Sequence, residues 1–183
     1  MPIDPPDGAD TITDTAWLHA FEDKIIEAWN SHDPDAVSML YAPDAVRIDP
    51  MRADPIIGRP AIRDYLVGAF AAFPDITYRF EGLPAITPQG TFVFTRWTAV
   101  GTHHGRIMPE GIPPTGRRGE IVGVNVQAFR GGLLWHDYSY FDTADLGRQL
   151  GLMPARGSRA EKMMIRSRQL QAQLRKLRRL SPR

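Results

Sequence analysis

Between residues 14 and 29 the apolar positions Trp17, Leu18, Phe21, Ile25, Ala28 and Trp29 recur every three or four residues, with Glu22, Asp23 and Glu27 set opposite. That period predicts an α-helix burying one stripe. It stops at Asn30-Ser31-His32. Asp33-Pro34 then predicts a second, short helix, a capping acid followed by proline at the first helical position. This helix carries Ala36, Val37 and Leu40 and ends at Tyr41. Residues 45–48 read as a short strand. A third helix begins near Pro60, shows Ile62, Tyr65, Leu66, Ala69, Phe70 and Phe73 at helical spacing, and closes at Pro74-Asp75.

After residue 75 the period changes. Runs at 76–82, 91–103, 119–129 and 133–142 are β-rich and are parted by the turn residues Pro88-Gln89-Gly90 and Gly131-Gly132. Helices followed by hairpin-linked strands predict an α+β fold, with helices on one face of an antiparallel sheet. Residues 105–119, rich in Gly and Pro, make a connection longer than a hairpin needs. It suits a lid or cavity rim, and equally a plain surface loop. The last strand runs into a helix over 144–150, capped by Asp142 or Thr143 and stopped by Gly151. Residues 155–183 place Ala160, Met163, Leu170, Leu174 and Leu177 at alternating three- and four-residue steps with Arg and Lys around them, a basic amphipathic helix over about 158–180.

Composition adds three constraints. The 183 residues suit one domain over 13–154 plus that tail. The absence of cysteine excludes disulfides, thiolate metal sites and cysteine nucleophiles. The acidic, proline-rich residues 1–12 lack the basic and apolar regions of a signal peptide and are expected to be disordered. No apolar run approaches the ~20 residues that span a bilayer, so a cytoplasmic protein without membrane contact is expected. The net charge of +1 conceals a division: residues 1–154 carry 12 Lys and Arg against 20 Asp and Glu, and residues 155–183 carry 10 against 1. The tail has no aromatic residue for base stacking, and an acidic body opposes duplex binding, so a nucleic-acid partner is not expected.

The candidate chemistry centres on an acid inside an aromatic strand. Alternation puts Trp135, Asp137, Ser139 and Phe141 on one face and His136, Tyr138, Tyr140 and Asp142 on the other. If the first face lines a cavity, Asp137 is a carboxylate beside Trp135 and Phe141, where desolvation without a cation would raise its pKa as a general base requires. If the faces are reversed, it is a surface charge. Asp142 reads as a helix cap. His103 shares strand parity with Trp97 and is the candidate acid/base partner or hydrogen-bond donor, against a plain histidine at a strand end. Asn125 and Gln127 share a face; they suit hydrogen bonding to a substrate carbonyl or enolate, and equally the outer face or a dimer seam. Trp97, Trp135, Phe141 and Tyr41 complete the candidate substrate lining. Adjacent His103 and His104 point to opposite faces of a strand and cannot readily ligate one ion, so neither a metal nor a cofactor is expected.

The segments 28–46 (AWNSHDPDAVSMLYAPDAV), 58–66 (GRPAIRDYL), 99–105 (AVGTHHG), 111–120 (GIPPTGRRGE) and 141–154 (FDTADLGRQLGLMP) stand in one order. In this the chain resembles the SnoaL-like polyketide cyclases of the nuclear transport factor 2-like superfamily. The resemblance implies a cone-shaped curved sheet wrapped around about three helices and enclosing one pocket, with homodimers paired through the outer face of the sheet. It implies a cyclase or isomerase that uses an acid for aldol-type ring closure or proton transfer next to a carbonyl, and it places that acid on the strand carrying Asp137. The same fold also hosts non-catalytic pocket proteins, in which case the basic tail would be the functional part. Epoxide hydrolases of the superfamily imply an Asp-x-Arg or Arg-x-Asp arrangement on a strand. Arg96 is followed two residues on by Thr98, which argues against that activity.

Overall fold

The computed structural model describes residues 7–180, with side chains described to residue 171. The first helix, α1 (Thr15–Asn30), starts where the Asp14 carboxylate accepts from the backbone N–H groups of Ala16 and Trp17. The short α2 (Pro34–Ser38) follows, capped in the same way by Asp33. Strand β1 (Tyr41–Ile48) then pairs with β2 (Ile56–Ile57), and α3 (Arg59–Ala72) returns across the sheet. The remaining strands are β3 (Thr77–Phe80), β4 (Ala85–Ile86), β5 (Val93–Thr102), β6 (Arg118–Arg130) and β7 (Leu133–Phe141), followed by α4 (Thr143–Gln149) and α5 (Arg159–Leu180).

The α+β expectation holds: among the described residues, one curved, unclosed sheet of seven strands runs in the order β2-β1-β7-β6-β5-β3, with β4 also on β5. The sheet is not wholly antiparallel, because β1 runs parallel to β7. The two are joined only through the rest of the chain, so the crossover that a parallel pair requires is available. Helices α1 and α3 pack on the concave face. There Leu18, Phe21, Ile25, Ile62, Leu66 and Phe70 bury against Val93, Phe129 and Leu134.

Three local expectations need correction. Tyr41 does not end the second helix. Helix α2 closes at Ser38, and Tyr41 opens a strand longer than residues 45–48. Of the segment 1–12 expected to be disordered, residues 1–6 lie outside the described residues. Residues 10–12 are fixed: Asp10 donates its N–H to the Phe129 carbonyl (2.7 Å), Ile12 to that of Gly90 (2.8 Å), and Ile12 is buried. The helix expected over 158–180 is α5; Met163 and Leu170 are exposed on it, while Leu174 and Leu177 lie outside the described side chains. Among the described residues no helix is long and apolar enough to cross a membrane.

Glu22 is the third correction. It does not face solvent, because the steps 18-22-25-29 lie on one helical stripe. Its carboxylate is buried and accepts a 3.0 Å hydrogen bond from the Thr95 hydroxyl. Burial raises its pKa from the ordinary 4.5, outweighing the hydrogen bond from Thr95. A raised folded-state value means that the folded chain binds the proton more tightly than the unfolded one. The contribution of Glu22 is therefore fully present below pH 4.5 and is lost as the pH rises through the folded value. Glu22→Gln keeps the acceptor and removes the charge. Its melting temperature is expected to exceed the wild type's at pH 7, with the gap closing below about pH 4, as read by thermal denaturation across pH.

Candidate active site

The inner face of the sheet carries three cross-strand rows. Arg47, Asp137 and Gln127 form the first across β1, β7 and β6; Ser139, Asn125 and Thr95 the second; and Phe141, Gly123 and Trp97 the third. Period-2 alternation therefore places Asp137, Ser139 and Phe141 inward, and Tyr138 outward in the cluster with Phe92 and Val126.

Asp137 is fully buried, and it is paired. Its Oδ2 accepts from the Tyr41 hydroxyl (2.7 Å) and from Arg47 Nη1, while Oδ1 accepts from Gln127 Nε2 at 3.3 Å. The second terminal nitrogen of Arg47 reaches Asp49 Oδ2 at 3.0 Å. The same oxygen accepts from the Tyr65 hydroxyl (2.8 Å), and Asp49 Oδ1 from the Met51 N–H (3.0 Å). One guanidinium thus bridges two carboxylates, each also held by a phenol. Burial alone would pull the Arg47 pKa down. The oxygens of Tyr41, Asp137 and Asp49 outweigh it, so the value is raised and Arg47 stays charged. Burial, and then the charge of Asp49, raise the Tyr65 pKa and keep it a phenol donor. The Arg47 Nε–H is buried with no partner among the described residues.

Arg47, Asp49 and Tyr65 line a cavity of about 550 Å³, counting the part open to solvent, with Trp29, Phe80 and Trp97 as aromatic walls. Asn125, Gln127, Ser139 and Phe141 line it too. Asn125 Oδ1 accepts from both Trp97 Nε1 (2.7 Å) and the Ser139 hydroxyl (3.0 Å). Its acceptor is thereby filled, and its amide NH2 remains as a donor for a ligand oxygen. The Trp97 indole reaches Asn125 by lying over Gly123, where any Cβ would collide with the ring.

Of the candidate residues, Trp97, Asn125, Gln127 and Phe141 come together in this cavity. Tyr41 does not line it and instead supports Asp137 from behind. Asp137 faces inward as its parity predicts, but the premise of burial without a cation fails, and it too stands behind the lining. Trp135 is displaced by a bulge: Leu134 and His136 pair with successive residues Phe129 and Ala128, so the residue between them leaves the row. Its ring stacks under the Arg130 guanidinium at 4.2 Å instead. His103 is buried at the base of the 105–119 loop, 5.4 Å from the Phe73 ring and with Nδ1 3.3 Å from the Thr115 hydroxyl. It lines no cavity with Asp49 or Asp137, and burial lowers its pKa. Asp142 caps α4 through the Asp145 N–H.

The residues not anticipated are Arg47, Asp49 and Tyr65. For the first two the signal was the Arg-x-Asp spacing. It is absent at Arg96, but it is present at Arg47-Ile48-Asp49, at the end of β1.

The chain belongs to the SnoaL-like domain family, whose model matches residues 23–136. No curated protein sequence matches it. Among solved structures it is similar to IdmH of Streptomyces antibioticus, assigned as a polyketide cyclase, at 30% identity over 73% of this chain and 97% of that one, with a TM-score of 0.59. A SnoaL-like polyketide cyclase assigned in Jannaschia sp. CCS1 superposes at 0.66 with 15% identity, over 80% of this chain and all of that one. SalBIII, described as an epoxide hydrolase/cyclase-like enzyme of pyran ring formation in salinomycin, superposes at 0.59 with 21% identity, over 73% and 97% of the two chains. The last two likenesses carry the fold.

Removing Arg47 leaves two buried carboxylates without their common cation. Arg47→Met is expected to destabilise the domain by ~3–5 kcal/mol, read as a fall in melting temperature. Adding Asp137→Asn to it is expected to restore part of that loss, because one of the two orphaned charges is gone.

Proposed function

We propose that the protein is a SnoaL-like cyclase or isomerase that moves a proton on an apolar, carbonyl-bearing small molecule, with Asp49 as the general base. The observation that carries this reading is the division of labour between the two carboxylates. Asp137 is enclosed by Tyr41, Arg47 and Gln127, whereas Asp49 is the one that lines the cavity. Asp137, Arg47 and Asp49 set two carboxylates against a single guanidinium, and a non-catalytic pocket would have little use for the second carboxylate beside an aromatic cavity.

In the reaction, Asp49 takes a proton from the carbon next to the carbonyl. The electron pair of that C–H bond moves onto the carbonyl oxygen, which receives hydrogen bonds from the Asn125 amide. In a ring closure the enolate carbon then bonds to a second carbonyl carbon of the same molecule, and the proton on Asp49 passes to the alkoxide formed. No atom is lost or gained. Arg47 and Tyr65 hold the carboxylate in position, and Asp137 with Tyr41 holds Arg47.

The Arg47-Ile48-Asp49 spacing favours a second reading with the same base. Asp49 would take the proton of a substrate hydroxyl, whose oxygen would open an epoxide in the same molecule to close a cyclic ether. The likeness to SalBIII supports that reading. The outer face of the sheet also leaves Phe94, Val122 and Tyr140 exposed, which suits the expected homodimer. Sedimentation equilibrium is expected to give twice the chain mass.

Exchange at carbon reports the base without the natural substrate. Incubated with 2-decanone in D2O, the wild type is expected to replace the hydrogens next to the carbonyl with deuterium, followed by NMR. Asp49→Asn is expected to slow this by ~100-fold or more, the scale of general-base catalysis, with its melting temperature nearly kept. Exchange retained in Asp49→Asn but lost in folded Asp137→Asn would move the base to Asp137. An epoxy alcohol supplied in place of the ketone separates the two reactions, since only the second reading closes it to a cyclic ether.

A further inference from the structure

Tyr65, Tyr78, Ile121 and Phe141 belong to the walls of two adjoining cavities. The inner one holds Asp49, Arg47 and Asn125. The outer one, about 770 Å³ counting its solvent-open part, lies between α3, α4 and the 105–119 loop. Ala72, Phe73, Ile107, Met108 and Leu146 make its walls apolar, and its charged members are Arg52 and Asp64. Polar chemistry is thus concentrated in one cavity, and its neighbour across these four side chains is mostly apolar.

Gly68 lines the outer cavity from within α3. A glycine inside a helix destabilises it relative to alanine, so its presence calls for a local reason. No turn or close approach supplies one. Its φ is not in the left-handed region, and a Cβ built on it meets no heavy atom within 4 Å. What the missing side chain leaves is open space inside the cavity.

We propose that the two cavities receive one elongated ligand, and that Gly68 sets the length of apolar chain it can have. The oxygen-bearing end sits with Asn125 and Asp49, and the apolar end extends past Tyr65 and Phe141 into the outer cavity. The substrate class is then an amphiphilic carbonyl compound with an apolar extension of several carbons. Which end reacts rests on the proton-transfer reading above; the division of the space and the role of Gly68 do not.

The test is binding of a series of straight-chain 2-alkanones, from 2-pentanone to 2-tridecanone, by titration calorimetry. In the wild type the Kd is expected to fall by up to about four-fold per added methylene as the outer cavity fills. Gly68→Leu is expected to bind the short ketones like wild type, to stop gaining at a shorter chain, and to melt no lower than wild type. Gly68→Ala is expected to melt higher and to shorten the cut-off by less. The proposal is overturned if Gly68→Leu weakens every ketone equally or leaves the series unchanged, or if the wild-type Kd is flat with chain length. Should Gly68→Leu fail to fold, an unaltered cut-off in Gly68→Ala overturns it. Carbon exchange in Asp49→Asn tests the other reading separately: if it is retained, the proton-transfer reading fails and the length rule stands. If exchange is lost while the series shows no length dependence, the length rule fails alone.

Discussion

A single guanidinium between two buried carboxylates is the constraint around which the rest of the structure is arranged. Desolvating either Asp137 or Asp49 alone would be severely unfavourable, and a buried pair persists only when its remaining hydrogen-bonding capacity is met. Each surrounding polar side chain answers that need: Tyr41 and Gln127 at one carboxylate, Tyr65 and the Met51 N–H at the other. The rings of Trp29 and Tyr65 lie 5.6 Å from the guanidinium carbon and complete its surroundings. The arrangement fixes which carboxylate stands behind and which is presented to the cavity. A chemical distinction between two identical side chains is thus made by packing.

The same principle governs the amide of Asn125. An asparagine side chain has an acceptor end and a donor end of nearly equal shape, and only its partners decide which points where. Two donors, an indole and a hydroxyl, claim the oxygen. The cavity therefore presents a carboxylate on one side and a hydrogen-bond donor on another. Asn125 lies on β6, and Asp49 directly follows the last residue of β1, held there by Arg47, Tyr65 and the Met51 N–H.

Much of this was legible in the sequence, because it depends on period. Alternation puts Asp137 with Ser139 and Asn125 with Gln127 on common faces, without saying which face is inward, and helical spacing finds the stripes of α1 and α3. What escaped depends on departures from period or on partners distant along the chain. Trp135 left its row because of one extra residue on β7. The turn at Met39 and Leu40 carries no Gly or Pro, so nothing local separates Tyr41 from the helix before it. The importance of Arg47 depends on a parallel pairing with a strand 90 residues away, and no local pattern encodes that. The Arg-x-Asp spacing stands at Arg47, not at Arg96. Strand parity points His103 toward the site, yet it lies beyond the last residue of β5, where alternation no longer holds.

The parallel joining of β1 to β7 also bears on when the site comes into being. Strands β5, β6 and β7 follow one another through direct connections and pair antiparallel, so loop closure between them is entropically cheap. Strand β1 must wait for β7, the last strand made, before it has its main neighbour. Until then Arg47 has only Asp49 beside it, and the pairing with Asp137 does not exist. Topology of this kind favours late formation of the most distant contacts. A nascent chain would hold most of its sheet before it held any reactive group in place, so binding competence would emerge only as synthesis passes residue 141.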